Sequence, residues 1–405
     1  MRLVSVVGAR PNFVKLAPVD RALAPRPDVE HVIVHTGQHY DPEMSAAFFE
    51  ELWIPAPDYN LGVGSGSHAS QTAAVMERLE PVLARLRPDL VLVYGDANST
   101  LAAALVAAKL GLPIGHVEAG LRSGQRTMPE EINRVVTDRL SDLLFTSSRE
   151  ASANVAAESI ATERVHFVGS VTIDALCWAL PQALARQVPA RYGLPEGGYA
   201  VVTLHQPTNV DDPAVLGLLV GAFARLSGER TVVFPMHPRA RKRLHQAGEA
   251  VDGAGDLRLL APVGYLEMLG LIAGAAVVIT DSGGLQEETT FLGVPCLTVR
   301  PTTERLVTCT HGTNRLVPRQ GDAIVAAAER AIARRAPVRP LIERWDGHAA
   351  ERLVGVVCDG AAWGVEAQDE AGVVGTLPPD ALPDDPAAEA HGAPEEAFAG
   401  ATQAR

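Results

Sequence analysis

Arg2-Leu3-Val4-Ser5-Val6-Val7-Gly8-Ala9-Arg10-Pro11-Asn12-Phe13-Val14-Lys15 reads as a short apolar run, a glycine turn and a segment of helical period. The run is too short for a secretory hydrophobic region and passes into Gly8 and Arg10 instead of a small-residue cleavage site, so it is expected to be a β-strand. A strand, a turn and a helix in that order are the start of a parallel βαβ unit.

Outward from this unit the pattern repeats. Strands are expected at 2–7, 31–36, 89–94, 113–117 and 143–147, with helix-length segments between them such as 99–110, which Gly111 stops. A second set is expected at 199–204, 231–236, 257–260, 277–280 and 295–299, again alternating with helices. At 405 residues the chain exceeds the ~250–300 residues at which one core stops growing. The reading is therefore an α/β protein of two doubly wound, Rossmann-like lobes facing a central cleft, residues 1–171 and 172–340. The stretch 172–198, with Pro181, Pro189, Pro195 and paired glycines, is expected to hold or adjoin the linker. No internal repeat of solenoid period is visible.

The hydrophobic fraction is 47%, and no apolar run approaches the ~18 residues of a bilayer span, so no membrane partner is expected. Cys177, Cys296, Cys309 and Cys358 form no CxxC pair and no ligand spacing. They are expected to be reduced thiols in a cytoplasm, with no metal. The net charge is −13, but residues 365–405 hold nine acids against Arg405 and carry −8 of it, which leaves about −5 for the rest. That tail, 364–405 in the domain division, is poor in large apolar residues and is expected to be disordered and acidic. Arg239-Ala240-Arg241-Lys242-Arg243 is read as a solvated helix face, so no nucleic-acid partner is expected.

Ligands of open α/β sheets bind at the carboxyl ends of the strands, and the chemically suggestive residues fall there. Arg10 and Lys15 follow the first strand at a helix start, where backbone N–H groups and two cations suit a phosphate. A plain glycine turn with surface cations would look the same in isolation. Thr280-Asp281-Ser282-Gly283-Gly284-Leu285-Gln286-Glu287-Glu288 repeats the logic: Ser282 is expected to cap the helix, Gly283 and Gly284 to let backbone approach a diphosphate, and Glu288 to reach a ribose diol. Asp96, Glu118 and Glu130 are expected to converge at one sheet edge. Clustered acids shift one another's pKa values, as proton removal and return at a sugar carbon require. His205 and His237 end two strands of the second set and are candidates for phosphate contact or proton transfer.

Taken together these residues resemble the bacterial non-hydrolysing UDP-N-acetylglucosamine 2-epimerase family, over residues 2–363. The supporting stretches are 8–19, Thr36-Gly37-Gln38-His39-Tyr40, Gly95-Asp96, His116-Val117-Glu118-Ala119-Gly120-Leu121-Arg122, 129–134, 281–288 and Thr302-Thr303-Glu304-Arg305. The resemblance implies a GT-B-like pair of lobes, a homodimer, no cofactor, and a final helix over about 341–358 crossing back to the first lobe, which would claim 341–363. It implies that Arg10, Lys15, His205, Ser282 and Glu288 contact UDP, that Asp96, Glu118 and Glu130 surround the sugar, and that Arg134 and Arg305 support the pocket. The implied chemistry is anti elimination of UDP to a 2-acetamidoglucal and syn re-addition to the opposite face.

Three stretches depart from the family pattern: His205-Gln206 where His-Arg is usual, Ser70-Gln71 where an arginine often precedes the glutamine, and Gly8-Ala9-Arg10-Pro11-Asn12 for the commoner Gly-Thr-Arg-Pro-Glu. The missing arginines are those associated with a second, activating UDP-sugar, although the possible regulatory residues Gln38, His39 and Gln71 remain. A hydrolysing epimerase, a GT-B glycosyltransferase and a catalytically idle UDP-sugar binder are the competing readings. The acidic trio and Pro129-Glu130-Glu131-Ile132-Asn133-Arg134 favour epimerisation.

Overall fold

Thirteen strands form two wholly parallel sheets among the described residues. The first contains β1 (Arg2–Val7), β2 (Glu30–His35), β3 (Tyr59–Asn60), β4 (Leu90–Tyr94), β5 (Ile114–Ala119), β6 (Leu143–Thr146) and β7 (Val165–Phe167), in the order β3-β2-β1-β4-β5-β6-β7. The second contains β8 (Tyr199–Thr203), β9 (Thr231–Pro235), β10 (Leu257–Leu260), β11 (Val277–Thr280), β12 (Cys296–Thr298) and β13 (Asn314–Leu316), in the order β10-β9-β8-β11-β12-β13. The structure, a computed structural model, describes residues 1–38, 48–236, 255–334 and 340–359, all in one compact unit. His39, His237, the basic stretch 239–243 and the acidic tail lie outside the described residues.

Helices cover both faces of each sheet, which is why a central strand such as β4 reads as an unbroken apolar run: all five of its residues are buried. The strand order reverses between β1 and β4 and again between β8 and β11, and such switch points open crevices at the carboxyl ends of the strands. The expected doubly wound architecture is present in both halves. β3, β7 and β13, of two or three residues each, complete it beyond the expected strands.

The stretch expected to hold the linker is mostly a helix, Val171–Ala185. It packs against both the helix Arg10–Leu23 and the helix Tyr265–Ala273, so the largest apolar core draws on both halves of the chain, from Leu3 and Phe13 to Tyr265, Phe291 and Leu353. The last described helix, Ala349–Asp359, crosses back onto Arg10–Leu23. The helix expected from 341 begins eight residues later. Arg344 and Gly347 occupy the left-handed region at φ +60° and +86°, and Trp345 is anchored through its indole N–H to the Ser147 carbonyl at 3.0 Å, none of which an α-helix allows. Asp174 receives the Ala350 N–H at 2.7 Å and thereby caps this helix from a neighbouring one.

Among the described residues no helix is long and apolar enough to cross a membrane, no group of three or more His, Cys, Asp or Glu is arranged to hold a metal ion, and the four cysteines are unbridged.

Candidate active site

The turn after β1 is built by close approach. A methyl on Gly8 would collide with the hydroxyls of Ser99 and Thr36, so only glycine lets this backbone reach the helix Asn98–Lys109. Ala9, at the N-cap of Arg10–Leu23, offers no capping side chain. Asn12 replaces it: its Oδ1 accepts from the N–H groups of Gly8 at 3.2 Å and Ala9 at 2.9 Å, while its Nδ2 donates to the Tyr94 carbonyl at 2.8 Å. One amide thus ties the β1 turn to the end of β4. An ionised glutamate, the commoner residue here, has no proton for that carbonyl. Arg10 is half-buried, its guanidinium over the Phe48 ring at 5.9 Å.

Glu118 sits at a bulge in β5, where the register shifts between Val117 and Ala119, and its φ is +73°. A glutamate in the left-handed region costs about 1–3 kcal/mol, and such strain together with a bulge is characteristic of functional positions. Its carboxylate is held between Lys15 Nζ at 2.7 Å and Arg305 Nη2 at 2.9 Å, all three side chains being buried. Asp96, just past β4, meets Arg134 Nη2 at 2.5 Å and remains 29% exposed, open to the crevice. Burial opposes its charge, but Arg134 and Lys15 outweigh that and hold the carboxyl below the usual carboxylate range. Glu130 lies in the first turn of the helix Pro129–Leu140, one turn before Arg134 on the same face, half-buried and with no hydrogen bond or ion pair to any described residue. Asp96 and Glu118 are thus brought together by shared cations, and Glu130 stands beside the arginine that grips Asp96.

In the second half, Ser282 occupies the N-cap of the helix Gly283–Leu292, but its side chain makes no capping bond, contrary to expectation. Its backbone N–H donates to Thr280 Oγ1 at 3.0 Å, and Ser282 and the two glycines after it are half-buried. Gly283 is required because a methyl would strike Arg305 and Glu304, whereas a methyl on Gly284 would meet open space. Glu288 is 5% exposed, and burial pushes its carboxyl up to about 7, with the neighbouring Tyr265 hydroxyl pulling the other way and Glu287 adding to the rise. Buried Asp281 fixes the strand end beside it, accepting the backbone N–H of His205 at 2.9 Å and of Gln206 at 3.0 Å and the Asn209 amide at 2.9 Å. The His205 ring itself is 53% exposed at the mouth of the crevice.

Arg305 is the hub. Besides Glu118 it contacts Glu304 and lies 3.3 Å from Glu287, and Arg300 completes the group at 2.7 Å from Glu304. Burial alone would raise the Glu304 carboxyl, but Arg305, Arg300 and Arg134 together hold it well below its usual range. Glu287, buried with weaker compensation from Arg305, is shifted up instead. Glu131 plays a similar supporting part in the first half, accepting from Ser123 and Gly124 N–H groups at 2.9 Å and from Arg134 at 2.5 Å. None of these supporting acids carries an expected role, although Glu131 stands three residues before Arg134, a spacing that pairs charges on a helix.

Gln38 and Gln71 are engaged within the chain. Gln38 Oε1 accepts from Ser99 at 3.0 and 2.6 Å, and Gln71 bridges the Gly64 carbonyl at 2.9 Å and the Asn98 amide at 2.8 Å.

A profile of the UDP-N-acetylglucosamine 2-epimerase family matches residues 21–357, which take in strands β2 to β13 and most of the last helix. The chain belongs to this family. It is 45% identical over 321 residues to a UDP-N-acetylglucosamine 2-epimerase homolog of Methanococcus maripaludis, covering 78% of this chain and 88% of that one. It is 41% identical over 338 residues to the UDP-2,3-diacetamido-2,3-dideoxy-D-glucuronate 2-epimerase of Pseudomonas aeruginosa, covering 82% of this chain and 92% of that one. The crystal structure of the Methanocaldococcus jannaschii UDP-GlcNAc 2-epimerase in complex with UDP-GlcNAc and UDP superposes with a TM-score of 0.82 at 39% identity, covering 88% of this chain and 99% of that one. The GT-B-like fold expected of the family is therefore the fold of this chain.

Proposed function

We propose that the chain interconverts UDP-N-acetylglucosamine and UDP-N-acetylmannosamine. A carboxylate takes the proton from sugar carbon 2 as the C1–O bond breaks, the bonding pair leaves with UDP, and a C1=C2 double bond gives 2-acetamidoglucal. UDP then adds back to C1 while a proton returns to C2 on the opposite face. The diphosphate falls to Arg10, Lys15, Ser282 and the start of the helix Gly283–Leu292, with His205 at the crevice mouth and Glu288 at the ribose. Asp96, Glu118 and Glu130 surround the sugar, and Asp96, held below its usual range, is a proton acceptor at neutral pH.

The observation that carries this reading is Glu118 held between Lys15 and Arg305. A diphosphate drawing on Lys15 loosens its pairing with Glu118, so binding of the leaving group frees a carboxylate beside the sugar. Preorganised cations and N–H groups then stabilise the departing UDP. A homodimer is part of the proposal, and sedimentation velocity measures it.

Proton NMR with UDP-N-acetylglucosamine in deuterated water tests the reaction. UDP-N-acetylmannosamine carrying deuterium at carbon 2 is expected. Free N-acetylmannosamine with UDP would instead mean a hydrolysing enzyme, and an unchanged spectrum would mean another UDP-sugar or a transferase.

A further inference from the structure

We infer that His116 and Asp138 form a buried clamp that fixes the aim of Asp96 and Glu118, acting as positioning residues. The inference rests on the epimerase reading above. His116 lies on β5 two residues before Glu118, and neither it nor Asp138 is exposed. Its Nδ1 is 2.6 Å from Asp138 Oδ1 and its Nε2 is 2.8 Å from the Gly95 carbonyl. Asp138 Oδ2 accepts from the Gly120 N–H at 3.1 Å and from Arg122 Nη1 at 2.7 Å.

Hydrogen-bond arithmetic fixes the roles. A carbonyl only accepts, so Nε2 carries a proton toward Gly95. Asp138 accepts through its other oxygen from a backbone N–H and a guanidinium, and burial of its charge is outweighed by His116 and Arg122, so it is a carboxylate that also accepts from Nδ1–H. The ring therefore donates from both nitrogens. Through it, the turn Gly95-Asp96 after β4 is braced to the turn Glu118-Ala119-Gly120 at the end of β5.

Those turns need bracing. Gly95, Glu118 and Gly120 all lie in the left-handed region, at φ +63°, +73° and +80°, and for Glu118 that conformation persists only where surrounding contacts over-determine it. An apolar side chain would fill the space of His116 without burying charge. Only a doubly donating ring links the carbonyl before Asp96 to the carboxylate that holds the Gly120 amide, two residues past Glu118.

The test uses the full-length chain with His116→Gln and Asp138→Asn, each of which breaks one link. Turnover is expected to fall about 100-fold, the loss an ångström-scale misplacement produces, with KM and UDP affinity within about threefold. The double variant is expected to be no slower than the slower single one, as for residues acting as a unit. Turnover within threefold of wild type, additive losses, or UDP affinity falling in step with turnover would overturn the clamp. If wild type leaves UDP-N-acetylglucosamine untouched, the epimerase reading fails separately, and a crystal structure of His116→Gln decides the clamp: Glu118 is expected to leave the left-handed region, and a φ still near +70° overturns it. Should the variants not fold, nitrogen-15 NMR of wild type at pH 8 decides: both His116 ring N–H protons are expected, and the absence of either overturns the arrangement.

Discussion

Arg305 and Glu118 stand 187 residues apart in the chain and 2.9 Å apart in the cleft. The pair joins the loop after β12 to the bulge of β5, so one ion pair links the two sheets at the proposed sugar site. Such a guanidinium cannot deprotonate, and it lies among Glu118, Glu287 and Glu304.

Removing it leaves these buried acids short of a partner. Arg305→Met is expected to cost about 3–5 kcal/mol of unfolding free energy in urea. A loss below about 1 kcal/mol would mean that water reaches the acids and replaces the arginine.

Asp96→Asn keeps the size of the side chain and removes its ability to take a proton. Turnover is expected to fall about 10²–10⁴-fold. UDP affinity, measured by isothermal titration, is expected to stay within about threefold, because Asp96 is assigned to the sugar. A collapse of affinity would assign it to the phosphates.

Glu288 makes stability depend on pH. Its carboxyl is raised from 4.5 to about 7, chiefly by burial, so the folded state favours the protonated form. The stability associated with that proton is fully present below pH 4.5 and is lost as pH rises toward 7. Glu288→Gln is expected to raise Tm at pH 8 by at least about 2 °C and to change it little at pH 4.5. Calorimetric scans showing the same difference at both pH values would contradict this origin.

Gln206 has neither the charge nor the fork of an arginine, and Gln38 and Gln71 are already engaged by Ser99, Asn98 and Gly64. The initial rate is therefore expected to rise hyperbolically with UDP-N-acetylglucosamine. A clearly sigmoidal curve would show that a second substrate molecule still acts.

The long strands were legible because buried parallel strands leave unbroken apolar runs, whereas their order in each sheet depends on pairing between distant segments. β3, β7 and β13 were not, since two or three residues show no period, and pairing with a neighbour already in place is what makes them strands. The helix expected from 341 starts at 349 because Arg344, Trp345 and Gly347 answer to tertiary contacts rather than to propensity. At the site, Asp96, Glu118, Lys15, Arg134 and Arg305 were recognisable as residues, but the pairing of Glu118 with Arg305 depends on the approach of distant segments. Ser282 looked like a cap, yet its side chain makes no capping bond and its own backbone N–H goes to Thr280. Asp281, Glu131 and Glu304 were hidden within motifs because their work is to hold other residues.

The shared apolar core has a consequence for synthesis. The helix Arg10–Leu23 leaves the ribosome long before its partner Ala349–Asp359, the last described element to be made. The first sheet can assemble early, but part of its outer layer stays uncovered until nearly the whole sequence has been translated. Truncation before residue 349 would therefore expose an apolar face at the opposite end of the chain from the cut, and newly made protein is most prone to aggregate during that interval.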